Sequence, residues 1–210
     1  MWLLLQLADS AFPAGGFPHS GGLEAAAQLG DVDVAAFAED AVWGAAHLAL
    51  PLARAAFAAH AGGPAALAAV DARAEAALAN HVLRRASRAQ GRAFLHACAR
   101  AFPETEPLEQ ALAHLAPAQG AAAAALGASI DDAETLVLHT TVRGVLSAAV
   151  RLGRIGPLAA QATQRGLAGA LDRARAAGRR VGLDGLAHTA PLADLAAALH
   201  DRLYSRLFQS

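Results

Sequence analysis

SIDDAETLVLHTTVRGVLSAAVRL, residues 129–152, decides the fold. Ser129 is followed by Asp131, Asp132 and Glu134, which gathers carboxylates where a helix macrodipole favours negative charge and reads as a capped helix start. From there Leu138, Val142, Val145, Ala149 and Leu152 recur at spacings of three and four. This is the strongest amphipathic signal in the chain, and it predicts a long helix at the centre of the core. β-branched residues are sparse outside 130–150, and no segment shows the alternation of a strand.

The helical pattern continues in both directions. Toward the N-terminus, Val34 to Ala61 carries apolar residues at helical spacing, with Asp33 as its cap and Pro51 expected to kink or divide it. Gly62-Gly63-Pro64 marks a turn, and two more helices are expected over Pro64–Asn80 and His81–Phe102. PETEP breaks the chain before Leu108–Leu115, and another short helix runs through the alanines to Gly127. Toward the C-terminus, Gly156-Pro157 precedes a helix ending near Ala177, and the polar loop GRRVGLDGLAHT leads to a last helix from Pro191. No linker is long enough to divide the chain. The expectation is one all-α domain spanning residues 1–210, a bundle of about eight to ten helices.

Composition narrows the function. With 210 residues, 55% hydrophobic content and a formal charge of −1, the chain can bury a core and offers no basic stripe for nucleic acid or an anionic membrane. All the basic residues are Arg, and there is no Lys. A P-loop, which holds nucleotide phosphates with Lys, and a Schiff-base lysine are both excluded. Nine His invite a metal hypothesis, but no two stand three or four apart, the spacing that would put both on one helix face. Neither a bound metal nor a cofactor is expected. The lone Cys98 excludes an intramolecular disulfide and suggests a reducing compartment. WLLLQLA lacks a basic flank, and the charge-free run 110–130 is too weakly apolar for a membrane span, so a soluble cytoplasmic protein is expected.

Three stretches remain unexplained by a plain bundle. SAFPAGGFPHSGG, residues 10–22, packs turn residues together with Phe12, Phe17 and His19, and Ser20 reads as the N-cap of a helix from Leu23 to Leu29. In RRASRAQGRAFLHA, Ser87, Gln90 and Gly91 share a face with Leu83 and Phe94. That face suits either a close helix crossing or a subunit interface. In LADLAAALHDRLYSRLFQS, Leu192, Leu195, Leu199, Leu203 and Leu207 form one stripe, and His200, Tyr204 and Phe208 a second at four-residue spacing. Chain ends fray unless held, so this apolar segment should dock on its own domain or on another protein.

These stretches resemble the family of the urease accessory protein UreF. The opening resembles that family's first motif through Pro13, Gly15, Phe17, His19, Ser20, Gly22, Leu23 and Glu24. Ser87-x-x-Gln90-Gly91 matches its middle helix, Ala149-Val150-Arg151-Leu152 a helix end, and Tyr204 to Ser210 its terminus. The sequence departs from the family where Phe17 replaces a common Tyr and where Arg154 and Gly156-Pro157 replace Pro-Leu-Gly-Gln. The resemblance implies an all-helical, non-enzymatic homodimer that binds the UreD/UreH accessory protein and recruits the UreG GTPase. That assembly docks on apo-urease and couples GTP hydrolysis to nickel insertion. It also implies a partner surface built from Phe17, His19, Ser20, Glu24, Tyr204, Arg206, Leu207, Phe208 and Ser210, with Ser87, Gln90 and Gly91 as a dimer contact. The other reading of the residues is a helical enzyme using His19 and Glu24 as acid and base.

Overall fold

In a computed structural model describing residues 1–210, the chain winds into twelve α-helical segments without a strand. α1 (Trp2–Ala8) and α2 (Leu23–Leu29) flank the opening loop. α3 (Val34–His47), α4 (Ala49–Ala59), α5 (Gly63–Ala77) and α6 (His81–Ala101) follow. The four-residue α7 (Leu108–Ala111) precedes α8 (Leu115–Ala125) and α9 (Ile130–Arg151). α10 (Pro157–Gly166), α11 (Ala168–Gly178) and α12 (Pro191–Leu199) complete the order. The all-α expectation holds, and nine of the twelve segments have nine residues or more.

Local chemistry accounts for most boundaries. Asp33 Oδ1 accepts from the backbone N–H groups of Ala35 and Ala36 at the start of α3. Ser129 and Asp132 form a capping box on α9, and the bonds from Ser129 hold the Asp132 carboxyl below its usual pKa. Other boundaries differ from expectation. The division of α3 from α4 falls at Leu48, and Pro51 sits in the first turn of α4, where a missing N–H costs no helical bond. Asn80, expected inside the preceding helix, instead caps α6 by accepting from Val82 and Leu83. The single helix expected before Ala177 is two, meeting at Leu167.

Buried residues form two apolar clusters. One joins α2, α3, α4, α9, α10 and α11, and the other joins α1 and α4 to α9. α4 and α9 contribute to both: Leu50 and Ala53 face one cluster, Leu52 and Ala56 the other. The predicted stripe of α9 lies in the first cluster through Leu138, Val142, Val145 and Ala149. Val34–Ala77 includes an 18-residue window as apolar as a membrane span, at mean hydropathy 1.2. It is broken at Leu48, and its Ala38, Val42, Leu50 and Leu52 are core residues. Cys98 is also buried there, its thiol pKa pushed up to about 12 by burial.

Two glycines allow the closest approaches. A Cβ on Gly120 of α8 would fall 2.6 Å from the carbonyl carbon of Ala53 in α4. A Cβ on Gly91 of α6 would fall 2.6 Å from the carbonyl carbon of His114 and 2.7 Å from the nitrogen of Leu115. Polar ties reinforce the packing. Glu134, expected to serve the α9 start, is instead buried and accepts from Arg175 Nε at 2.8 Å and Arg179 Nε at 2.9 Å, with Arg54 3.6 Å away.

Gly120→Ala is expected to destabilise the fold by ~2 kcal/mol or more, because the obstructing atoms are backbone and cannot rotate away. Gly144→Ala in α9 meets nothing within 4 Å and should gain about 0.5–1 kcal/mol from helix propensity. Urea denaturation of both variants checks the opposite signs.

Candidate functional site

The opening loop lies on α6. Gly15 takes a φ of 67°, and a Cβ there would fall 2.7 Å from the Cβ of Ala93. Phe12 packs against the buried Phe94 at 5.9 Å between ring centroids, whereas Phe17 is 72% exposed. Gly22, at φ 92°, begins α2 and lets Ala197 of α12 approach. Ser20, expected as the N-cap of α2, lies two residues ahead of the cap position at Gly22, yet its hydroxyl accepts from Glu24 N at 3.4 Å. The backbone N–H and hydroxyl of Ser20 bond to the carbonyl of Ser210, at 2.5 and 2.8 Å.

The C-terminal segment does not continue as a helix. α12 ends at Leu199, a 3₁₀ turn covers His200–Arg202, and the chain then folds back across the opening loop. The two stripes expected from four-residue spacing are therefore broken up. Leu192, Leu195 and Leu207 are exposed and Tyr204 is fully exposed, while His200 and Phe208 are buried. Inside α12, Ala196 and Ala197 are buried, and Ala197 lies so close to Gly22 that a Cβ on Gly22 would fall 2.9 Å from that of Ala197.

A folded-back segment presents backbone groups that need partners, and Glu24 supplies them. The carboxylate is 2% exposed and sits in the first turn of α2. Its Oε1 accepts from Leu207 N at 2.6 Å, and its Oε2 from Phe208 N at 3.1 Å and His200 Nε2 at 3.0 Å. Gln209 N donates to the Pro18 carbonyl at 2.7 Å, and Gln28 Nε2 to the Ser205 carbonyl at 3.0 Å. His19 Nδ1 lies 2.6 Å from Ser210 Oγ. Loop and tail thus form one hydrogen-bonded unit.

The outer side of this unit is amphipathic. Phe17, Tyr204 and Leu207 project from it, and Arg151 stacks its guanidinium over the Phe17 ring. Asp201 is shared by Arg85, at 2.7 and 3.0 Å, and by His81 and Arg206, each at 3.4 Å. The Arg85 bond holds the Asp201 carboxyl below its usual pKa. Three potential cations thus converge on one carboxylate at this edge.

The sequence left two alternatives for Ser87, Gln90 and Gly91, and the close crossing is made within the chain. Gly91 is buried beneath 113–115 of the same chain. Ser87 Oγ accepts from Leu115 N and lies 3.2 Å from His114 Nδ1, while His114 Nε2 meets Glu75 at 2.8 Å. Gln90 borders Gly15 and Gly16 of the opening loop. As for an acid–base pair, Glu24 is buried and already accepts from three donors. Cavities of about 530 and 240 Å³ lie elsewhere, between α5 and α7 and under α1. The residues missed at the sequence level are Gln28, Arg85, Arg151 and Asp201. Arg151 stood in a quoted motif, but nothing in the spacing linked it to position 17.

Glu24→Ala is expected to cost about 2–4 kcal/mol, since two buried donors and one half-buried donor lose a charged acceptor. It should also make residues 200–210 sensitive to limited proteolysis. The pH dependence follows from His19, whose pKa is lowered by burial first, then by Arg85 and His200. The unfolded chain binds the proton at a higher pH than the folded one. Stability tied to neutral His19 is therefore complete above about pH 6.5 and lost as pH falls through the lowered folded value. Between about pH 7.5 and 5.5, the unfolding midpoint of the native chain should fall more steeply than that of His19→Gln.

Residues 30–168 match the family model named UreF, and similar proteins extend the likeness across loop and tail. Urease accessory protein F of Oryza sativa subsp. indica is 33% identical, covering 99% of this chain and 84% of that protein. Urease accessory protein F of Arabidopsis thaliana is 31% identical, covering 100% and 92%. UreF of a Mycobacterium species is 34% identical, covering 99% and 97%. Proteins of this kind assist an enzyme and are not themselves catalysts, which removes the acid–base reading of His19 and Glu24. The chain, matched by family model and by relatives along its length, belongs to the UreF family of urease accessory proteins.

Proposed function

We propose that residues 1–210 act as one UreF-like scaffold domain in urease maturation. The chain binds the UreD/UreH accessory protein and, in that complex, recruits the UreG GTPase to apo-urease, tuning GTP hydrolysis to nickel delivery. The observation that carries this reading is the loop–tail unit: a buried carboxylate holds it from beneath while Phe17, Tyr204, Arg206 and Leu207 stay exposed above. Large exposed aromatics beside Arg are the usual anchors of a protein interface. His19, Ser20, Glu24, Phe208 and Ser210 serve the surface by holding its backbone in place.

Nickel is cargo in this scheme, and no three His, Cys, Asp or Glu side chains are arranged to hold a metal. The absence of Lys assigns nucleotide phosphates to the GTPase partner. Cytoplasmic location belongs to the same proposal, supported by a single buried thiol. So does homodimer formation. The α6 face of Ser87 and Gln90, half-buried beside the covered Gly91, is where that contact is proposed.

Arg206→Ala should leave helix content nearly unchanged, because its one ion pair to Asp201 is exposed. The same change should sharply reduce capture of UreG by the UreF–UreD/UreH complex in a pull-down, and so urease activation. Phe17→Ala should behave alike, and Phe17→Tyr should be tolerated. Normal capture by Arg206→Ala and Phe17→Ala would leave the loop and tail with a folding role alone.

A further inference from the structure

At the end of α9, Ala149 is a core residue, and Val150 and the capping Leu152 pack against the core. Arg151 turns outward, where its guanidinium carbon lies 3.6 Å from the centroid of the Phe17 ring and 4.3 Å from that of Phe208. It also donates to the Phe17 carbonyl and forms no ion pair with any carboxylate. The two rings are opposites: that of Phe17 faces solvent, and that of Phe208 is part of the core. One planar cation from a third, core-anchored element therefore touches both halves of the surface.

We infer that Arg151 is a positioning residue that couples the seating of the tail to the presentation of Phe17. The inference rests on reading the loop–tail unit as the recognition surface. A guanidinium can stack on aromatic faces and donate in its own plane at the same time, which an ammonium cannot. With Phe208 seated, Arg151 is shielded on one side, and its attraction for the Phe17 ring is stronger than in water. When Phe208 leaves, water reaches the cation and that attraction weakens. Backbone bonds from Gln209 to Pro18 and from Ser20 to Ser210 tie the main chains together but do not touch the Phe17 ring. Coupling of this kind is reciprocal. A partner gripping Phe17 tightens the tail, and a partner drawing on Tyr204 or Leu207 loosens Phe17.

Hydrogen exchange in the full chain without any partner tests this. The amides of Leu207 and Phe208, bonded to Glu24, report tail seating. Phe17→Ala should speed their exchange by about fivefold, and that effect should vanish in an Arg151→Gln background. Arg151→Lys, which keeps the charge and loses the planar fork, should retain only part of the effect and serves as the milder variant if Arg151→Gln folds poorly. Helix content by circular dichroism should stay the same throughout. An unchanged tail in Phe17→Ala, or an undiminished effect in Arg151→Gln, overturns the coupling. No partner enters the measurement, so its outcome is separate from UreG capture. Lost capture with no coupling sinks only this inference, and intact coupling with normal capture by Phe17→Ala sinks only the partner reading.

Discussion

An alanine-rich helix carries little apolar area per residue, so it stabilises a core only where helix axes come close together. The meeting of α4, α6 and α8 answers that constraint with missing side chains: Gly120 admits the Ala53 backbone, and Gly91 admits the turn at 113–115. Close approach exposes backbone donors at the start of α8, and they are provided for. Asp71 accepts from Ala113 and His114, and Ser87 accepts from Leu115. The buried His114 ring then spans Ser87 and Glu75, so the polar content of this crossing is satisfied side by side with its packing. A Ser, a His and a Glu in hydrogen-bond reach here are the cost of bringing backbones together, with the serine oxygen turned toward an amide.

The same logic governs the loop and tail. A segment without helical bonds can lie on a core only if its N–H groups find acceptors, and one carboxylate in the first turn of α2 accepts from two of them and from His200. Because Glu24 works from beneath, the side chains of 204–207 are left outside. Order in the backbone and freedom in the side chains are what a recognition surface needs, since a preorganised surface loses less entropy on binding.

Arginine does the connecting throughout. Arg54 reaches the Gly178 carbonyl, Arg73 that of Leu183, Arg143 that of Ala8 and Arg154 that of Ala27. A rigid fork with several donors suits carbonyls at helix ends and loops, where the last turn leaves acceptors free. Arg154 lies in the turn where this chain departs from its family's usual residues, and there it closes the end of α2.

What the sequence determined by itself is local. Caps placed the starts of α3 and α9, and turn signals bounded α6 to within a residue or two, because an acceptor at the N-cap and a turn act over one or two turns. The motifs at the opening and the tail were legible as a family likeness, and Phe12, Phe17 and His19 stood out together among turn residues. Only the tertiary structure decided what those residues do. Four-residue spacing predicted that His200, Tyr204 and Phe208 would share a stripe, yet the chain leaves the helix after Leu199. Glu24, 183 residues from Leu207 along the chain, offers the tail better partners than another helical turn would. Ser20, a capping residue by type, gave its hydroxyl to Ser210, and Gly91 turned inward to the chain itself. Each of these outcomes depends on a group distant in sequence, and hydrogen bonds and close contacts are made in space, where no local period can register them.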